Sequence, residues 1–176
     1  AVENGRLEAA TEALDSAEAQ REVGVEPLVV EDEELRGPAW ARNRGLERAE
    51  TRYVAFLDGD DLWAEDKLVR QLRRMEETGA GMCVEGPERY EPLDFARALL
   101  VGETFALTSA ILIDTDRVDT RFDESLERRE DHLFMIETAV DAGVCFVSDT
   151  FEARKYEDGL SEHVEKSEDH VDRFFE

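Results

Sequence analysis

The sequence predicts an α/β fold: a mostly parallel, doubly wound sheet with helices on both faces. Two observations predict it. The run Tyr53-Val54-Ala55-Phe56-Leu57 is short and apolar, as a buried strand of a parallel sheet is, and it stops abruptly at Asp58-Gly59-Asp60-Asp61. Around it, helical and strand-like patterns alternate, the order that crossover helices between parallel strands produce. Sheets of this kind bind ligands beyond the carboxyl ends of their strands, so the acidic turn after Leu57 is the first candidate site.

The elements follow in order. Leu7, Ala10, Leu14 and Ala17 recur at helical spacing and predict a helix over residues 6–20. Pro27-Leu28-Val29-Val30 reads as a short strand ending at Glu31-Asp32. Pro38 suits the first turn of a helix that carries Ala39 to Ala49. After the strand at 53–57, a helix over 65–78 places Leu68, Leu72 and Met75 on one face and stops at Gly79. Met82-Cys83-Val84 is a strand, residues 94–101 a short helix and 107–113 an apolar strand. A helix over 131–142 turns Leu133, Ile136 and Val140 inward, and strand-like runs at 144–147 and 151–155 follow. Residues 162–176 are acidic and polar apart from Val164, Val171, Phe174 and Phe175, a peripheral helix or tail.

The 176 residues suit one domain. With 45 acidic and 21 basic residues the formal charge is -24, which excludes a nucleic-acid binder, because no basic surface replaces phosphate counterions. A hydrophobic fraction of 41% in periodic blocks argues against acidic disorder. The only lysines are Lys67, Lys155 and Lys166, and an acidic, Lys-poor surface resembles that of proteins from salt-loving organisms, where salt screens self-repulsion. Cys83 and Cys145 lie within apolar runs and read as buried free thiols. The three histidines have no metal-ligand spacing. No apolar run is long enough to span a bilayer, and no signal peptide opens the sequence, so a cytoplasmic domain is expected, with peripheral membrane association as its only membrane contact.

Four polar clusters follow or open apolar runs: Glu31-Asp32, Arg42-Asn43-Arg44, Asp58-Gly59-Asp60-Asp61 and Glu130-Asp131. A doubly wound sheet gathers strand-end clusters at one edge. Asp58 and Asp60 flank a permissive glycine, and such a turn can aim two carboxylates at a divalent cation shared with a diphosphate. Plainer readings stand beside these. Asp58 to Asp61 is also a polar strand end with a helix cap. Glu130-Asp131 also suits the first turn of a helix, favoured by its dipole. Residues 31–34 are also a solvated charge run, and Arg42 and Arg44 also suit surface ion pairs. Trp40 and Trp63 read as packing residues, with Trp63 near enough to Asp61 to line a sugar pocket. Thr108-Ser109 reads as a polar kink before a strand, or as an acceptor contact.

The ordered set resembles family 2 glycosyltransferases of the GT-A fold, a Rossmann-like sheet. The pieces that carry the resemblance are Val29-Val30-Glu31-Asp32, Gly37 to Leu46, Phe56-Leu57-Asp58-Gly59-Asp60-Asp61, and Arg121-Phe122-Asp123-Glu124-Ser125-Leu126 leading to Glu130-Asp131. Asn4-Gly5-Arg6-Leu7 is similar to the family's first loop, and residues 154–161 to its closing motif. The resemblance implies one domain over about 1–161, with a nucleotide-sugar half over about 1–85 and an acceptor half over about 86–161. It implies that Glu31, Asp32, Arg42, Asn43, Asp58 and Arg154 bind a nucleoside-diphosphate-sugar. It implies that Asp60, with Asp58, holds Mg²⁺ or Mn²⁺, and that Asp131, beside Glu130, is the catalytic base of an inverting transfer to a saccharide, lipid-linked or protein-linked acceptor. An Arg fork suits phosphate or ribose recognition.

The sequence departs from the family pattern in three places. Glu31 stands where Asp is usual, Tyr156 stands where many members carry His, and the apolar first strand that precedes the loop at Asn4 is missing. The missing strand keeps open a degenerate domain that binds a nucleotide-sugar or a partner without turnover. A phosphatase of the haloacid-dehalogenase type also places Asp-x-Asp after an apolar strand. That motif normally follows the first strand and continues into Gly-Thr, whereas here it runs into Asp61-Leu62.

Overall fold

The computed structural model describes residues 2–86 and 90–147. Five helices and four strands follow in the order α1 Val2–Glu18, α2 Pro38–Arg48, β1 Tyr53–Ala55, α3 Lys67–Thr78, β2 Met82–Glu85, α4 Pro92–Val101, β3 Ile111–Asp114, α5 Glu130–Ala142 and β4 Val144–Val147. The sheet order is β1-β3-β2-β4. β3 runs antiparallel to both β1 and β2, while β2 and β4 are parallel. β1, β2 and β4 therefore share one direction, as expected, and the reversed β3 lies between β1 and β2.

The strands explain the two-layered core through their period of two. Met82, Val84, Ile111, Ile113, Val144 and Phe146 face a cluster that includes Phe95 and Leu99 of α4 and Phe134, Met135 and Ala139 of α5. Cys83, Leu112 and Cys145 face the other way, against Leu68 and Met75 of α3. Helices thus cover both faces. Cys83 and Cys145, register partners on β2 and β4, are buried free thiols as expected.

Several boundaries differ from the expectations. α1 starts at Val2, so residues 4–7 are helical rather than a loop. Leu28 to Val30 is not a strand: none of the four described strands pairs with it, and Leu28 and Val29 are 39% and 62% exposed, which leaves it no buried face. β1 is half-buried, because it lies at the edge of the described sheet. The strand expected over 107–113 is divided. Thr108–Ala110 forms a 3₁₀ turn, the polar kink read from the sequence, and β3 starts at Ile111. α3 ends as expected at Gly79, whose φ of 71° accepts the left-handed cap without a Cβ penalty. The segments expected at 151–155, 154–161 and 162–176 lie outside the described residues.

Candidate active site

The site is assembled on an aromatic cluster. Phe56 lies two residues before Asp58, and Phe134 one helical turn after Glu130. Phe122 and Phe134 stack with ring centroids 4.1 Å apart, and Phe56 packs edge-on to Phe122 at 5.3 Å and to Phe134 at 6.0 Å. All three are at least 93% buried. Their burial draws the end of β1, the loop before α5 and the first turn of α5 together, although these are remote in sequence.

Arg42 of α2 lies over this cluster, its guanidinium 5.5 Å from the Phe122 ring centroid. Its two terminal nitrogens divide between two acids. Nη1 donates to Glu130 Oε1 at 2.8 Å, and Nη2 donates to Asp58 Oδ1 at 3.0 Å and Oδ2 at 3.2 Å. Side-chain exposure is 13% for Arg42, 8% for Glu130 and 41% for Asp58. Burial opposes the charge on Arg42, but Asp58 by charge and hydrogen bond, and Glu130 and Asp131 by charge, outweigh it and raise its pKa above its ordinary value. The guanidinium is a fixed cation that spans three sequence motifs.

Asp131 follows Glu130 on α5 and is half-buried. Its Oδ1 accepts the backbone N–H of His132 at 2.8 Å, and it lies within electrostatic reach of Arg42. Of the two neighbouring acids, Glu130 is the buried ion-pair partner and Asp131 the more accessible one. Glu130 anchors Arg42. Arg129, just before them, adopts φ 63°, ψ 20°, a left-handed conformation that costs of order 1–3 kcal/mol for a non-glycine residue and that clusters at functional sites. Burial lowers the pKa of His132, whose ring packs edge-on to Phe105 at 5.5 Å.

Asp58 to Asp61 form a turn closed by the Asp61 N–H on the Asp58 carbonyl at 3.0 Å. The Asp58 N–H donates to Ser109 Oγ at 3.0 Å, so the 3₁₀ turn before β3 holds the acidic turn. Asp60 is exposed. Among the described residues, no group of three or more acidic, histidine or cysteine side chains is assembled to hold a metal ion. Two carboxylates at one turn are what a Mg²⁺-type ion uses when substrate phosphates supply other ligands. Because Asp58 also serves Arg42, Asp60 is the less committed of the pair.

The remaining expected nucleotide contacts divide. Asn43 is 5% exposed, and its amide is taken up internally: Nδ2 donates to the Phe122 carbonyl at 2.9 Å and to Glu124 Oε1 at 2.8 Å, and Oδ1 accepts the Phe122 N–H at 2.9 Å. The amide clamps the loop before α5. Asp32 accepts the N–H groups of Arg36 at 2.9 Å and Gly37 at 2.7 Å and so shapes the entry to α2. Glu31 is exposed and lines a cleft of about 540 Å³ with Val29, Trp40, Arg44 and Arg48. Trp40, Arg44 and Arg48 recur at i, i+4 on one face of α2 and Arg42 lies on another, so this cleft and the acidic turn lie on different sides of the helix. Arg44 pairs with Glu47, the surface pairing expected of it. Trp63 is a packing residue whose indole N–H donates to the Ser109 carbonyl at 2.8 Å. Arg154 lies outside the described residues. Sequence reasoning missed Ser109 as the support of Asp58; its signal was a small polar pair interrupting an apolar run.

Comparisons with known proteins agree with this architecture. A family model described as glycosyl transferase family 2 matches residues 11–147. TuaG of Bacillus subtilis (strain 168), provisionally named a teichuronic acid biosynthesis glycosyltransferase, is 53% identical over 58 residues, which are 33% of this chain and 23% of TuaG. WfaP of Escherichia coli, a UDP-Glc:alpha-D-GlcNAc-diphosphoundecaprenol beta-1,3-glucosyltransferase, is 41% identical over 49 residues, 28% of this chain and 20% of WfaP. The crystal structure of S. aureus TarS 1-349 in complex with UDP superposes with a TM-score of 0.62 at 22% identity, covering 82% of this chain and 55% of TarS 1-349. That likeness shows the fold, the GT-A arrangement. The chain spans only part of the length of each of these relatives.

Proposed function

The chain belongs to glycosyl transferase family 2, and we propose that it transfers a sugar from a nucleoside-diphosphate-sugar to an acceptor hydroxyl with inversion at the anomeric carbon. The observation that carries the proposal is the Arg42 fork, which joins Asp58 at the end of β1 to Glu130 at the start of α5 and so sets a donor-side acid and an acceptor-side helix around one cation. Asp131 takes the proton of the acceptor hydroxyl. The acceptor oxygen bonds to the anomeric carbon as the bond from that carbon to the diphosphate oxygen breaks, and the electron pair leaves with the nucleoside diphosphate. Arg42, whose own side chain is only 13% exposed, stabilises the negative charge that collects there. Glu130 keeps Arg42 in place throughout.

Asp60 and Asp58 would hold Mg²⁺ or Mn²⁺ brought by the diphosphate, and the ion, once bound, would neutralise developing charge on the leaving group. A uridine nucleotide donor is supported by WfaP, named for UDP-Glc, and by the UDP complex of TarS. A saccharide or lipid-linked acceptor in polysaccharide biosynthesis is supported by the names of TuaG and WfaP. No helix among the described residues is long and apolar enough to cross a membrane, and we place the reaction on the cytoplasmic side, with peripheral attachment where the acceptor is lipid-linked.

The test is a thermal-shift titration with UDP and GDP, with and without Mn²⁺, repeated for Asp131→Asn. A bound nucleotide at about a hundred times its Kd should stabilise the fold by about 2.7 kcal/mol. Asp131→Asn should keep that shift and lose transfer. No shift with any nucleoside diphosphate would refute the donor reading, and equal loss of binding in Asp131→Asn would refute the base.

A further inference from the structure

The acidic turn is held by a chain of buried polar contacts that starts at an unexpected residue. Lys67, at the start of α3, is 1% exposed. Its ammonium donates to Gln71 Oε1 at 2.7 Å and lies 4.6 Å from the centroid of the Trp63 ring. Gln71 is 0% exposed, and its Nε2 donates to the carbonyls of Ala110 at 2.9 Å and Cys83 at 3.2 Å. Trp63 donates to the carbonyl of Ser109. Two consecutive carbonyls, Ser109 and Ala110, thus accept donors from Trp63 and Gln71, while the Ser109 hydroxyl accepts the Asp58 N–H.

A buried ammonium is costly unless it is paired or its hydrogen bonds are essential to the surroundings. The acid that attracts it, Glu85, is bonded to Arg70 at 2.9 Å. What Lys67 does is fix the Gln71 amide. The ammonium on Oε1 and the two carbonyls on Nε2 together leave the amide one orientation and one position; without Lys67 the buried Oε1 loses its donor and the amide is free to shift toward another one. The ammonium also holds the Trp63 ring from its face, which sets the direction of the indole N–H.

We propose that Lys67 is a positioning residue for the Asp58–Asp61 turn: through Gln71 and Trp63 it fixes the 3₁₀ turn at Ser109-Ala110, whose hydroxyl holds Asp58 in place. This assignment to the reaction rests on the donor-site reading of Asp58 and Asp60 above. Lys67 touches neither donor nor acceptor. Its effect is on where the carboxylates of the turn stand, and so on how well a diphosphate-bound cation meets them.

Lys67→Met, which keeps the length and removes the ammonium, and Trp63→Phe, which keeps the ring and removes the indole donor, test it. Two readouts are compared with the wild type: hydrogen exchange of the Asp58 amide, and the gain in UDP affinity on adding Mn²⁺. In folded variants, Asp58 exchange should accelerate and the Mn²⁺ gain should shrink, each by roughly fivefold to tenfold, the worth of one net hydrogen bond. UDP affinity without metal should stay within twofold, roughly the threshold at which a difference exceeds the coupling of distant sites. A purely packing role for Lys67 would leave the Mn²⁺ gain unchanged. Wild-type Asp58 exchange in Trp63→Phe, or in Lys67→Met if it folds, overturns the proposal. If the wild type itself gains nothing from Mn²⁺, the donor-site reading falls, and Asp58 exchange still decides whether Lys67 positions the turn.

Discussion

Replacing Lys67 by Met should change the pH dependence of stability in a defined window. Burial lowers the ammonium pKa from the ordinary 10.5 to about 8; attraction by Glu85 and Cys83 opposes this, and Arg70 adds to it. Below about pH 8 folded and unfolded chains both carry the proton, and the fold bears the full cost of an enclosed charge. Between about 8 and 10.5 the unfolded chain binds the proton and the folded chain sheds it, so stability rises with pH. Above 10.5 the rise is complete. The displacement corresponds to about 3 kcal/mol. Lys67→Met has no such group and should lack the rise. Near pH 7 it loses the bond to Gln71, worth about 1 kcal/mol, and is relieved of the buried charge, so it should be as stable as the wild type or more so. The assay is urea unfolding of both proteins at several values from about pH 7 to about pH 10.5. The stability difference between them should shift by about 3 kcal/mol in favour of the wild type across that window. Other titrating groups contribute to both proteins and largely cancel. Parallel stability curves would refute the reasoning, since they would mean that the ammonium is hydrated in the folded state.

Glu130→Gln should cost about 2 kcal/mol, because Arg42 keeps Asp58 but loses its buried anionic partner; thermal denaturation measures it, and an unchanged Tm would show that the pair adds nothing. Gly81→Ala should destabilise by about 2 kcal/mol or more, because a Cβ there would meet the Ala142 Cβ at 2.5 Å and its carbonyl oxygen at 3.1 Å, at the start of α5's return into β4. Denaturant unfolding checks it, and a neutral substitution would mean that the α5–β4 junction relaxes freely.

Much of the site was legible because its signals are local. Pro38 announced α2, and Glu130-Asp131 marked the start of α5; the acids after the Tyr53 to Leu57 run begin three residues beyond β1, which ends at Ala55 rather than Leu57. Arg42 and Asp58 were named as neighbours of one ligand, and the structure joins them directly. What was not legible depends on partners far away in sequence. The apolar run at Leu28 to Val30 has strand composition, yet a strand exists only when another strand bonds to it. The direction of β3 follows from its neighbours rather than from Ile111 to Asp114. Asn43 was expected near a nucleotide because it matches the family's Arg-Asn pair, and its bonds to the Phe122 backbone depend on a loop far away in sequence. Nothing in the sequence set Lys67 apart from the other lysines; it is buried beside Trp63 and Gln71.

Arg42 and Asn43 are consecutive on α2, one gripping Asp58 and Glu130 and the other the backbone of Phe122. A rigid rod that carries both grips cannot turn or slide without moving the acidic turn and the loop before α5 together. If the proposed function holds, sugar-giving and sugar-receiving sides are geared to a single shaft, and a substitution that tilts α2 should disturb recognition of both reactants at once.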